Sequence, residues 1–232
     1  MNSRLDDPGE PSPAGEPAEP RGEHWWPVAS AVLVAALLHV ALPRSYRESP
    51  SWVLPAVMVV LLAVLIGADP GRIDRQTRWL RVVTDLMIAF ITLANLGAAA
   101  SLVADILTDS KLYADNATGL LATGGVIWVT NVIAFALWYW DLDRGGAAAR
   151  AHRPFADPAF VFPEMQLQQS TCSAWVPVFV DYLALAFWTS ASFGPADTSP
   201  VKPWAKLLMI TQSTVSLVVA ALVIARAINI LK

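Results

Sequence analysis

The sequence predicts an all-α fold, a polytopic bundle of transmembrane helices, and three observations carry that prediction. Of its 232 residues, 55% are hydrophobic and only 15% are charged, where a soluble domain carries about 25% charged residues. The apolar residues gather into runs near the length of about 20 residues that a helix needs to cross a hydrocarbon core. Trp residues stand at the ends of several of these runs, as they do in the aromatic belts of a bilayer. Five runs are read as spans. A sixth segment is read as either a short span or a pore-helix-like half-helix.

Residues 1–24, MNSRLDDPGEPSPAGEPAEPRGEH, are rich in Pro, Gly and Glu. Such a segment buries too little apolar surface to offset its conformational entropy, so a disordered tail is expected. It lacks the basic start of a signal peptide, and the first apolar run is therefore expected to stay as an anchor. A four-helix transmembrane region then occupies residues 25–140, with spans at 25–42, 52–68, 80–107 and 119–140. Pro55 falls in the first turn of the second span, where it is tolerated. The fourth ends in Trp-Tyr-Trp, expected at the level of the lipid headgroups. Residues 141–175 form a polar connection whose Gly pair and spaced Pro residues argue against a continuous helix. Within it, FADPAFVFPEM is expected as a short ordered element on the membrane surface. The last unit, 176–232, holds the sixth segment (176–194), a polar loop and a long helix over 204–231 with no Gly or Pro inside its apolar run.

Arg and Lys placement orients the first four spans. With the N-terminus in the cytoplasm, nine basic residues lie inside and three outside, as the positive-inside rule requires. Arg72, Arg75, Arg78 and Arg81 recur every third residue. Voltage sensors place apolar pairs between such arginines and keep them within the span. Here the pairs are Ile-Asp, Gln-Thr and Trp-Leu and the run precedes its helix, so it is read as a cytoplasmic flank. Beyond residue 175 the charges tie: Lys202 and Lys206 lie at one end of the last helix, Arg226 and Lys232 at the other. A spanning 176–194 and a re-entrant one are equally compatible with them. The plasma membrane is the expected location, and the excess of Arg over Lys suggests a GC-rich bacterial genome.

Chemistry-bearing motifs are few. The single cysteine, Cys172, excludes an intrachain disulfide and a Cys-cluster metal site. His24, His39 and His152 match no metal-ligand spacing, and the Gly pairs at 124–125 and 145–146 match no phosphate-binding pattern. Gly124 and Gly125 are expected to permit close helix approach. No catalytic constellation is present, so neither an enzyme nor a cofactor or nucleic-acid partner is expected.

The stretch TSASFGPADTSP, with DYLALAF before it and a long helix after it, resembles the pore loop and inner helix of potassium-channel-type proteins over residues 180–231. That family carries T-x-x-T-V-G-Y-G-D-x-T-P in its filter. Here the matching positions are Thr189, Ser192, Phe193, Gly194, Pro195, Ala196, Asp197, Ser199 and Pro200. The resemblance implies a pathway lined by carbonyls and small residues, formed by several copies around an axis and used by a monovalent cation. Pro195 replaces a Tyr and Ala196 a Gly; Pro fixes φ and Ala disfavours the positive φ that Gly permits. These departures imply either a wider, less selective pore or a relic that conducts nothing. The C-terminal third, from WYWDLDRGG onward, also resembles an uncharacterised bacterial family of multi-pass membrane proteins.

Five polar residues fall within the apolar segments: Asp85, Asn95, Asn131, Asp181 and Gln212. Intramembrane carboxylates are costly and are functional suspects, although Asp85 and Asp181 lie near segment ends. Asn95, Asn131 and Gln212 are deeper; they either line a cavity or hydrogen-bond between helices, the latter worth about 0.6–2 kcal/mol each. The preferred reading is an ion-channel-like protein with a degenerate filter. The alternatives are a non-conducting structural or accessory protein with six spans, and a small-solute transporter using Asp85, Asn95 and Asn131. All three have membrane lipid as a partner.

Overall fold

The structure, a computed structural model, describes residues 22–46, 52–68, 73, 77–108, 116–153, 156–167, 175–192 and 197–231. The described residues are mostly helical: α1 (Trp26–Ala41), α2 (Val53–Ala68), α3 (Arg78–Leu107), α4 (Ala117–Leu142), α5 (Ala147–His152), α6 (Pro163–Leu167), α7 (Phe179–Ser192) and α8 (Pro203–Ile230). Two short strands, β1 (Phe160–Val161) and β2 (Ser199–Pro200), pair antiparallel, with Phe160 opposite Pro200 and Val161 opposite Ser199.

Three helices are long and apolar enough to cross a membrane: α3, α4 with its continuation to His152, and α8. Of the five expected spans, three are of this kind among the described residues. The two earlier apolar runs form helices of 16 residues each, about 24 Å at 1.5 Å per residue. The reason is local. Leu42 leaves α1 in an extended conformation, a short 3₁₀ turn follows at Arg44–Tyr46, and Tyr46 then donates to Asp105 near the end of α3. A turn and a side chain complete the descent that α1 begins.

Helix α4 is the centre of the bundle, and α1, α3, α7 and α8 pack around it. Two-thirds of its apolar window is buried, against about two-fifths for α3 and less for α8. Its start is set by Asn116, whose side chain accepts from the Gly119 amide, satisfying a backbone donor that the helix leaves free. Its end is set by three residues in the left-handed region: Arg144 at φ 52°, Gly145 at 84° and Gly146 at 93°. Glycine meets that geometry without the Cβ clash other residues incur, so the RGG sequence turns the chain into α5.

At this end of the bundle the 141–162 connection folds into a cap. Phe160 is fully buried, and its ring meets those of Tyr139, Tyr182 and Trp204; Phe162 meets Tyr182 and Trp175. The expected surface element is therefore docked into the bundle. For the same reason the Trp-Tyr-Trp ending of α4 is not an outward belt: Tyr139 and Trp140 are buried under the cap, and the Trp138 indole donates to Thr92. The expected tail also ends sooner. Residues 1–21 lie outside the described residues, but Glu23 accepts from the Trp140 indole and from the Phe179 amide.

Candidate functional site, a half-helix and its polar contacts

Helix α7 has 14 residues, about 21 Å, and its neighbours give its direction. Near its start, Tyr182 shares the Phe160 ring contact with Trp204, the second residue of α8. One turn on, the Gln212 amide donates to the Ala186 carbonyl and to Ser190. Near its end, Ser216 donates to Ser190. Residues 182, 186 and 190 thus match 204, 212 and 216 in order, so α7 and α8 run in the same direction. Both begin at the capped end.

The chain between them has to return. Ser192 lies more than three turns along from Phe179, away from the cap, whereas Ser199 pairs with Val161 in the cap. Val201 then donates to the Ala159 carbonyl, and Lys202 pairs with Asp157. Helix α7 thus runs into the bundle beside α8, and by Ser199 the chain is back at the cap.

The start of α7 is held by a polar cluster that the sequence did not disclose. Asp143, fully buried, accepts from the Tyr182 hydroxyl and, at 2.7 Å, from the Ala159 amide. Arg150 is 1% exposed. It donates to the carbonyls of Trp140 and Asp143, and its guanidinium lies 5.0 Å from the Tyr182 ring centre and 5.8 Å from that of Trp140. Four elements meet on these two side chains. Asp143 and Arg150 sit in a polar connection in sequence, and only the folded cap reveals that they are interior.

Asp181, a suspect by depth, acts locally. Its carboxylate accepts from the Val178 amide at 2.8 Å at the helix start, as one half of a capping box does. Beside it, burial pushes the Glu23 carboxyl above its ordinary value, against the hydrogen bonds from Phe179 and Trp140, which lower it.

The deep polar residues meet one another. Asn95 donates to Asn131, Asn131 donates to Ser216 at 3.0 Å, and the Gln212 carbonyl accepts from the Tyr139 hydroxyl. With Ser190 they form one network joining α3, α4, α7 and α8. Thr189, expected in the filter, is fully buried and donates to the Leu185 carbonyl within its own helix. Ser192 and Asp197 are exposed. Phe193, Gly194, Pro195 and Ala196 lie outside the described residues.

Asp85 does not join this network. Its carboxyl lies beside that of Asp141 at the end of α4, and each group has one buried oxygen with no hydrogen-bond partner among the described residues. The sequence singles out Asp85 but not Asp141, whose place beside the Trp-Tyr-Trp run suggests headgroup level.

Comparison with known proteins identifies no relative: no protein-family model, no curated protein and no solved structure gives a significant match.

Proposed function

We propose that this chain is a multi-pass protein of the plasma membrane in which α7, the return and α8 act as a pore-loop hairpin. Several copies assembled around an axis would pass a monovalent cation. The observation that carries this reading is the shared direction of α7 and α8, with both helices starting at the capped end. Half-helix, return and long helix is the chain path of a pore loop. A second support is the exposure of Ser192 and Asp197 on the single chain, which a neighbouring copy or a water-filled axis would cover under this reading.

Under this reading the N-terminus and the cap face the cytoplasm. Arg78, Arg81, Arg144, Arg150, Arg153, Lys202 and Lys206 belong to the capped half, and Arg44 and Arg226 to the other. That distribution follows the positive-inside rule. The hairpin then enters from the cytoplasm, inverted relative to potassium channels.

The experiment is cation flux in proteoliposomes under a potassium or sodium gradient. Flux is expected in the native protein, retained in Asp85→Asn and abolished in Gly194→Leu. No flux under any gradient would overturn the reading. One observation favours a non-conducting, structural role as the second reading: Asn95, Asn131, Thr189 and Gln212 are all hydrogen-bonded internally, as interhelical ties are.

A further inference from the structure

A cavity of about 480 Å³ opens at the capped end, between α1, α2, α3 and the turn from α4 into α5. Ligand pockets generally measure about 300–1,000 Å³. Its inner walls are apolar, with Val28 of α1, Leu65 of α2 and Met87 of α3 among them; Val28 and Met87 are buried. Arg78, Arg81 and Arg153 also line it, and all three are exposed, which places them at the mouth. Among the described residues none of the three makes an ion pair. Arg144 lines it too, but is turned toward Asp143 and Met165. Among the described lining residues Asp141 is the one carboxyl, against the three arginines at the mouth. An apolar interior with a cationic mouth is complementary to a molecule with a hydrocarbon chain and an anionic head. Basic pockets between membrane helices on the cytoplasmic side recognise anionic lipid headgroups in this way.

We infer that the cavity is a binding site for one anionic phospholipid of the surrounding bilayer, its acyl chain between α1, α2 and α3 and its phosphate against Arg78, Arg81 and Arg153. The site is separate from the α7–α8 hairpin and does not depend on ion conduction.

The test is native mass spectrometry of the full chain, extracted in detergent and offered equal amounts of phosphatidylglycerol and phosphatidylcholine with identical acyl chains. The native protein is expected to retain phosphatidylglycerol preferentially. The doubly substituted Arg78→Gln, Arg153→Gln protein should lose roughly thirtyfold of that preference, at about 1 kcal/mol for each of the two basic residues near the surface. Leu65→Trp, which fills the cavity from α2, should lower retention of both lipids. Glycerol phosphate, which offers the head without the chain, should not compete. Equal retention of the two lipids by the native protein would overturn the inference. So would an unchanged preference in the double variant, unchanged retention in Leu65→Trp, or competition by glycerol phosphate. If the double variant does not extract as one species, Arg78→Gln alone, at an exposed position, takes its place with a smaller loss of preference expected.

Discussion

The Glu23 carboxyl accepts from the Trp140 indole and the Phe179 amide, so one residue ahead of α1 ties the end of α4 to the start of α7. Composition hides it, because a Pro- and Glu-rich stretch reads as uniformly disordered while a single anchoring residue leaves no trace in an average. Burial raises this carboxyl above its ordinary value of 4.5, so the folded protein takes up the proton at a higher pH than the unfolded chain does. Folded stability therefore rises as the pH falls through the raised value, and the gain is complete below the unfolded value. On acidification the melting temperature should rise in the native protein relative to Glu23→Gln; a constant difference between them would contradict this. Arg150 permits a second prediction. Its guanidinium serves two carbonyls and lies over two rings, a geometry that an ammonium does not reproduce. Arg150→Lys should cost about 1.5–3 kcal/mol of stability in chemical denaturation, the range of hydrogen bonds to charged groups, although the charge is kept. Asp181 shows the reverse limit of sequence reading: its position in an apolar segment is conspicuous, but only the Val178 amide reveals a helix cap.

Helices α3, α4 and α8 were legible from their long apolar runs, to within a few residues at each end. Helices α1 and α2 also match their expected runs to within a residue at each end, α1 stopping where Leu42 turns away from the helix. The glycine pair in α4 separates two roles that sequence could not. A Cβ on Gly124 would stand 2.8 Å from Val223 of α8, whereas one on Gly125 meets nothing within 4 Å. Gly124→Ala should cost about 1–3 kcal/mol through overpacking and should recover in part with Val223→Ala. Gly125→Ala should stabilise by up to about 1 kcal/mol through helix propensity. Denaturation of the four proteins checks both, and equal effects of the two alanines would contradict the assigned contact. Asn131 joins α3 to α8 by hydrogen bonds in both directions; Asn131→Leu should cost about 0.6–2 kcal/mol.

Across the whole molecule, the direction of 176–194 was the question on which the sequence ran out. Lys202 and Lys206 balance Arg226 and Lys232, so charge gave no answer. What bears on it is a set of pairings between residues far apart in the chain: Phe160 with Tyr182 and Trp204, and Val161 with Ser199. No local pattern encodes them. They build a cap that buries the aromatic end of α4, seats the start of α7 and brings the chain back before α8. Of the filter-like residues, Thr189 is inside the bundle, while Ser192 and Asp197 are exposed. The most direct measurement of this architecture is cysteine accessibility from each side of the membrane in Cys172→Ser protein, with single probes at Ala151 and Ser199. The half-helix predicts that both label from the same side, the one that carries the cap. Labelling from opposite sides would mean that residues 176–194 span the membrane, and would remove the hairpin together with the pore reading built on it.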